Sequence, residues 1–146
     1  MKRSRAQRVV RVRERLQRLR RTELSAAERQ LDEAMKSEES LRLELGRQRA
    51  ALIEQRDTTA AQLALLADSV GAGVEVLAEA QIHRLERAKL VREAHDVLDE
   101  ATGELKSSEE VLRRIRAAER LAAERLEQRN QDDLSNSRRR NHVQDD

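Results

Sequence analysis

Residues 91–115 read VREAHDVLDEATGELKSSEEVLRRI, and this stretch decides the fold. Its apolar and small residues recur at alternating steps of three and four, which keeps them on one face of an α-helix. The stripe consists of Val91, Ala94, Leu98, Ala101, Leu105, Ser108, Leu112 and Ile115, and it continues through Glu119, Ala122 and Leu126. Such a heptad series predicts a long amphipathic helix that packs against a partner helix.

A stripe in the first half of the chain supplies that partner. It opens with Val9, Val12, Leu16 and Leu19, and a step of five then leads to Leu24. We expect this irregular step to change the supercoil locally without breaking the helix. Beyond Leu24 the series continues through Ala27, Leu31, Ala34, Leu41, Leu45 and Leu52.

Gly71 and Gly73 give the strongest stop signal in the chain, because glycine is the usual residue of the left-handed cap that ends a helix. We therefore predict a turn at 69–74, between a first helix over about 4–69 and a second helix over about 74–130. Two amphipathic helices joined by a short turn bury their stripes by folding back on each other. The predicted fold is all-α, a long antiparallel two-helix coiled-coil hairpin.

In this hairpin residue i faces about residue 144 − i, so we expect the two ends of the chain to lie together. The pairing brings Arg138, Arg139 and Arg140 close to the basic N-terminal segment. Over 131–146, Asn, Ser and Asp replace leucine, and we expect this polar tail to be disordered. The hairpin then forms a single domain over 1–130.

Composition excludes several classes of protein. The 146 residues include no Trp, Tyr, Phe, Pro or Cys, and 40% of them are charged. The absence of aromatic side chains argues against a compact globular core, and the absence of cysteine excludes disulfides and thiol chemistry. No apolar run approaches the roughly 20 residues of a membrane span. We expect a cytoplasmic protein that does not insert into a membrane.

Positive charge is concentrated at the N-terminus. Residues 1–21 carry ten basic side chains and one acidic side chain, a net charge of +9, whereas the rest of the chain sums to −7. Four arginines in this segment, Arg8, Arg11, Arg15 and Arg18, each precede one residue of the apolar stripe. Three interpretations stay open: a solvated helix face, a surface that binds an acidic protein, and a contact for nucleic acid or an anionic membrane surface.

No motif for catalysis or cofactor binding is present in the sequence. The Gly71-Ala72-Gly73 segment lacks the third glycine and the preceding strand of a nucleotide-binding turn. Glu79, His83 and Glu86 share one helix face, and we interpret them as an exposed cluster rather than a metal site. We predict a non-enzymatic protein with no catalytic residues, metal, cofactor or small-molecule substrate.

The opening segment Arg-Val-Val-Arg-Val-Arg-Glu-Arg-Leu (residues 8–16), the Arg/Glu/Ala/Gln-rich helices and the hairpin arrangement resemble the FliJ/YscO/HrpO family. These are the stalk proteins of flagellar and virulence type III secretion systems. The resemblance spans nearly the whole chain and implies a non-enzymatic central stalk and coupling protein. It implies that the end carrying both chain termini docks into a hexameric secretion ATPase. The docking residues would be Arg8, Arg11, Arg15, Arg18, Val9, Val12 and Leu16.

The same resemblance implies that the turn end reaches the cytosolic domain of the export gate or export chaperones. Val74, Leu77 and Ile82 would supply that contact. Flagellar members often carry aromatic residues here, and their absence favours the virulence branch. The resemblance also implies a location in the cytoplasm at the inner-membrane secretion apparatus, as a monomer or weak dimer. Two alternatives stay open: a basic coiled coil associated with nucleic acid, and a self-assembling rod in which two hairpins form a four-helix bundle.

Overall fold

The chain forms two long helices that pack against each other. The computed structural model describes residues 2–54 and 58–143, with side chains placed for 3–54 and 58–136. Helix α1 spans Lys2–Glu54 and helix α2 spans Ala60–Val143. The described residues contain no strand, and the all-α helical hairpin predicted from the heptads is confirmed.

The connection between the helices lies between Glu54 and Ala60, so the prediction of a turn at 69–74 is wrong. Gly71 and Gly73 lie inside α2, and no described glycine has a positive φ. Neither glycine therefore adopts the left-handed conformation that a helix-ending cap requires.

A capping box starts α2. The backbone N–H of Thr59 donates to Gln62 Oε1 at 3.2 Å, and the backbone N–H of Gln62 donates to Thr59 Oγ1 at 3.4 Å. The N–H of Leu63 donates to the Thr59 carbonyl at 3.0 Å, which is the first bond of the helical ladder. This reciprocal arrangement satisfies two donors at the helix start. The segment Thr59-Ala60-Ala61-Gln62 is therefore a signal for the start of a helix, which the prediction of a turn at the glycine pair did not take into account.

Gly73 is explained by packing. A Cβ atom added there would lie 3.1 Å from Leu45 Cδ1 and 3.3 Å from Gln48 Oε1, whereas one added at Gly71 would meet nothing within 4 Å. At Gly73 a Cβ would therefore be crowded by side chains of α1, while Gly71 lies on the open surface.

The chain divides into two compact units. The first consists of Met1–Leu16 with Ala101–Asp146, and its core is Val10, Leu105 and Leu112 with Ala6 packed against them. Ala101 and Ser108 are also buried, and Ile115 is half-buried. All eight residues of the predicted stripe from Val91 to Ile115 are buried or half-buried, as the heptad predicted.

The second unit covers Gln17–Glu100, and its buried α1 residues are Leu24, Ala34 and Leu45. The burial pattern along α1 corrects the predicted start of the stripe. Counting back from Leu24 in steps of four and three, the residues that are buried or half-buried are Arg20, Gln17, Arg13, Val10 and Ala6. The expected step of five is therefore absent. The packed face of α1 follows the same alternating steps of four and three throughout, and the polar side chains of Arg20, Gln17 and Arg13 occupy some of its positions.

The register of the hairpin also differs from the expectation. Arg3 pairs with Glu119 at 3.4 Å in the first unit, and Glu38 pairs with Arg84 at 2.5 Å in the second. Residue i consequently faces about residue 120 − i rather than 144 − i, because the connection comes earlier in the chain. Since Arg3 already faces Glu119, α2 continues past the beginning of α1 by more than 20 residues.

Two expectations about the C-terminal region are therefore wrong. Helix α2 runs to Val143, so the predicted helix end at 130 is incorrect, and 131–143 are helical rather than disordered. Gln144–Asp146 lie outside the described residues. Arg138–Arg140 lie on the extension of α2 that has no facing α1 segment, so the basic chain ends do not converge. Side chains from Arg116 to Asn136 are all exposed, including Ala122 and Leu126 of the predicted stripe.

The two helices bury little of their apolar surface. Seven apolar residues form the buried core among the described residues, whereas eighteen large apolar side chains are exposed. No described side chain is completely buried. Many large apolar side chains therefore stay in contact with solvent and are available to partners.

The beginning of α2 is its most apolar part, because 60–74 contain a single charged residue, Asp68. By length and composition alone, α2 holds a stretch apolar enough to cross a membrane, with a mean hydropathy of 1.4, and none of that stretch is buried. The expectation that no apolar run approaches this length is therefore corrected. That the chain does not insert into a membrane stays a prediction.

Candidate partner-docking surface

The N-terminal arginines and the apolar residues beside them lie outside the packed face of α1. Val9 and Val12 are exposed, Val12 to 64%, and Leu16 is half-buried. All four predicted docking arginines are exposed. We call this set the basic face, and it consists of Arg8, Val9, Arg11, Val12, Arg15, Leu16 and Arg18.

The basic face is exposed because other residues of the segment occupy the packed positions. Val10 is buried, and Arg13 turns towards α2. The Arg13 guanidinium donates to the Glu104 carbonyl oxygen at 2.7 Å and to Ser108 Oγ, and it forms an ion pair with the Glu104 carboxylate at 3.8 Å. Val12 therefore lies outside the contact between the two helices, and Val9 lies at its edge.

The arginines of the segment differ in whether they have carboxylate partners. Arg3, Arg13 and Arg20 have carboxylate partners, on Glu119, Glu104 and Glu23. Across 2–54 and 58–143, the four arginines of the basic face form no ion pair. Their positive charge is therefore not neutralised by the hairpin itself.

A shallow apolar groove adjoins the basic face in the first unit. Its volume is about 220 Å³, and it is lined by Ala6, Val9, Arg13, Ser107, Ser108 and Val111. Val111 is exposed to 52% on α2, so the groove offers apolar contact from both helices. A partner helix lying on the basic face would contact this groove as well.

The residues expected at the far end of the hairpin are not together on one surface. Val74 and Ile82 are exposed, but Leu77 is half-buried in the packed face of α2. All three lie at least 14 residues along α2 from Ala60, because the connection comes before Ala60 and not at 69–74.

Sequence reasoning missed the apolar residues nearest the connection. Ile53 is exposed to 81% and Leu65 to 76%, with Leu63 also exposed. The capping box at Thr59 was the signal that could have located them, since it places Ile53 and Leu63 on either side of the connection.

No group of three or more potential metal ligands occurs within the described ranges. Glu79, His83 and Glu86 are all exposed. Outside the basic face, the pKa of Lys36 is raised above 10.5 by the hydrogen bond from its ammonium group to the Asp32 carboxylate, an exposed pair one helical turn apart.

No protein-family model, curated protein or solved structure matches the chain.

Proposed function

We propose that this chain is a non-enzymatic coupling protein of a type III secretion apparatus, and that its basic face docks onto the hexameric secretion ATPase. The observation that carries the proposal is the exposed row of arginines, which form no ion pair within the described residues, beside the exposed side chains of Val9 and Val12. The family assignment itself comes from the resemblance of residues 8–16 and of the hairpin arrangement to FliJ/YscO/HrpO proteins.

The composition of the basic face favours a protein partner with acidic side chains. Arginine forms bidentate hydrogen bonds with carboxylates, and its weakly hydrated guanidinium group suits interfaces. Val9 and Val12 add apolar surface, which the phosphate backbone of a nucleic acid cannot contact favourably. A protein partner can contact both the arginines and the apolar residues of the basic face.

The role requires no active site on this chain. A hairpin bound to a ring of ATPase subunits contacts each subunit differently. It can therefore favour one subunit conformation over another if it binds that conformation more tightly. The exposed apolar residues around the connection, with Val74 and Ile82 further along α2, would meet the export gate or export chaperones. In this role the chain works in the cytoplasm at the inner-membrane apparatus.

Direct binding to the purified ATPase hexamer tests the docking proposal. The chain lacks cysteine, so an added C-terminal cysteine gives a single site for a fluorescent label. We expect R11E/R15E/R18E to weaken binding by about 100-fold, because three favourable charge contacts become repulsive. Binding of the parent chain should also weaken as sodium chloride rises from about 50 to 300 mM.

The matched control reverses three exposed arginines elsewhere, Arg42, Arg49 and Arg125, with the same change in net charge. We expect R42E/R49E/R125E to bind within about threefold of the parent. An equal loss in both triple variants would reduce the effect to net charge and contradict a docking site. Circular dichroism of each variant checks that helicity is retained.

The apolar half of the basic face has its own test. Val12→Ser should weaken ATPase binding about tenfold, whereas Val97→Ser, at another exposed valine, should leave it unchanged. Tight, salt-sensitive binding to duplex DNA at about 50 mM salt, with no binding to the ATPase, would favour the nucleic-acid alternative instead.

A further inference from the structure

The first part of α2 carries a second charged and apolar surface. Four of its exposed apolar residues are each followed directly by an exposed acidic residue. We call this set the acidic face, and its pairs are Ala67-Asp68, Val74-Glu75, Ala78-Glu79 and Leu85-Glu86. The pairs recur at steps of seven, four and seven, so the carboxylates lie along one side of the helix and the apolar row lies beside them.

The carboxylates of the acidic face are not neutralised by neighbouring residues. Across the described residues, Asp68, Glu75, Glu79 and Glu86 form no ion pair. Arg84 is the one arginine or lysine between 58 and 86, and its guanidinium is paired with Glu38 at 2.5 Å, while His83 shares the helix face of Glu79 and Glu86. This part of α2 therefore presents uncompensated negative charge.

The acidic face and the basic face are complementary in charge and in geometry. On α1 each arginine comes one residue before an apolar residue, and on α2 each acid comes one residue after an apolar residue. In a parallel coiled coil, the charged residue before an a position of one helix faces the charged residue after a d position of the other. By their spacing, Arg8 and Arg15 hold the first kind of position, and Asp68 and Glu75 hold the second. Parallel packing would therefore set Arg8 and Arg15 opposite Asp68 and Glu75, with the other charges of the two faces on the outer flanks of the contact.

We infer that the basic face of one copy of this chain binds the acidic face of a second copy, head to tail. The two rows belong to different parts of the chain, so the contact is heterologous, and each added copy leaves one face of each kind free. Pairing an acidic face with another acidic face would place unpaired carboxylates side by side, which disfavours a symmetric dimer through this surface.

The self-association shares residues with the proposed ATPase contact, so one copy of the basic face serves either partner but not both. The inference itself rests on the structure and not on the proposed function. Its test uses the isolated chain, so it can fail while ATPase docking stands, and the reverse is also possible.

Sedimentation velocity on the full chain at about 10 to 200 μM protein tests the inference. At about 50 mM sodium chloride we expect a weight-average mass that rises with concentration beyond two copies, and at about 500 mM we expect the 16.8 kDa monomer. A parent chain that stays monomeric over this range at low salt would overturn the inference. Salt-insensitive association into a species of fixed size would also overturn it, in favour of the four-helix rod.

Charge exchange makes the test specific. The variant R11E/R15E/R18E has two acidic faces, and the variant D68K/E75K/E79K has two basic faces, so each alone should associate at least about tenfold more weakly than the parent. Mixed in equal amounts, the two variants should recover association to within about threefold of the parent, because each face again meets its opposite.

The control D96K/D99K/E124K makes the same change in charge at exposed acids outside the acidic face, and it should associate like the parent. Association of both face variants at the parental strength, or a mixture that stays as weak as its components, would refute head-to-tail pairing.

Discussion

Replacing Gly71 and Gly73 separately with alanine distinguishes the helix found here from the turn that the glycine pair suggests. Both residues lie inside α2 without positive φ. Alanine is favoured over glycine in a helix interior by about 1 kcal/mol, mainly because glycine loses more backbone entropy on folding. A Cβ at Gly71 meets nothing within 4 Å, so Gly71→Ala should raise the free energy of unfolding by about 1 kcal/mol.

Alanine at position 73 brings the same gain in helix propensity, but crowding against α1 offsets this gain. Its new Cβ would lie 3.1 Å from Leu45 Cδ1, and Leu45 is 95% buried and has little room to move. Overpacking of this kind costs about 1 to 3 kcal/mol. We therefore expect Gly73→Ala to be neutral or to lower the free energy of unfolding by up to about 2 kcal/mol.

Urea unfolding followed by circular dichroism at 222 nm measures both changes, and Gly103→Ala, with nothing within 4 Å of its Cβ, serves as a second open-surface reference. The sign of the change in the free energy of unfolding on Gly71→Ala distinguishes a helix from a turn at this position. If Gly71 formed a left-handed cap, alanine would cost about 1 to 2 kcal/mol there. A loss of stability at Gly71 would therefore refute a continuous α2.

Three further predictions concern the start of α2, the packed face and the part-buried ion pair between Glu38 and Arg84. Thr59→Ala should lower the free energy of unfolding by about 1 kcal/mol, measured in urea, because it removes the cap of α2. Leu112→Ala should cost about 2 to 3 kcal/mol since Leu112 is buried, while Val12→Ala should cost less than about 0.5 kcal/mol; equal losses would contradict the assignment of Val12 to the exposed face. Arg84→Met should cost about 2 kcal/mol because it leaves the nearly buried Glu38 carboxylate unpaired, and the double variant E38L/R84M should recover most of that loss in thermal unfolding.

The heptad pattern was sufficient to predict the hairpin, and it located the packed face wherever apolar residues occupy it. Val91 to Ile115 are buried or half-buried as expected. In the first 20 residues the same reasoning failed, because Arg13 and Gln17 occupy packed positions while Val9 and Val12 point away. Hydrophobicity alone does not distinguish a packed valine from an exposed one. Counting back from Leu24 in steps of four and three does distinguish them.

The position of the connection was missed because two local signals competed. Glycine at 71 and 73 is the usual sign of a helix end, and the Thr59 capping box is the sign of a helix start. Tertiary packing decided between them, since Gly73 is where α2 contacts Leu45 and Gln48. That close approach is a property of two helices together, and no local pattern contains it.

The candidate docking residues could be named from sequence, but their exposure could not. The row of Arg8, Arg11, Arg15 and Arg18 was visible as a repeat. Within the described residues these arginines have no carboxylate partner, while Arg3 and Arg13 do, and this difference depends on the register that the connection sets. The acidic face was not anticipated, because the predicted turn at 69–74 separated Ala67 and Asp68 from the pairs that follow along α2.

ATP turnover by the secretion ATPase tests the central claim most directly. Addition of the parent chain should raise turnover in a saturable way, with a midpoint that moves to higher protein concentration as salt increases. The variant R42E/R49E/R125E should stimulate like the parent, and R11E/R15E/R18E should not stimulate at any concentration where it stays folded. Full stimulation by R11E/R15E/R18E would contradict the account and would leave the basic face as a solvated surface.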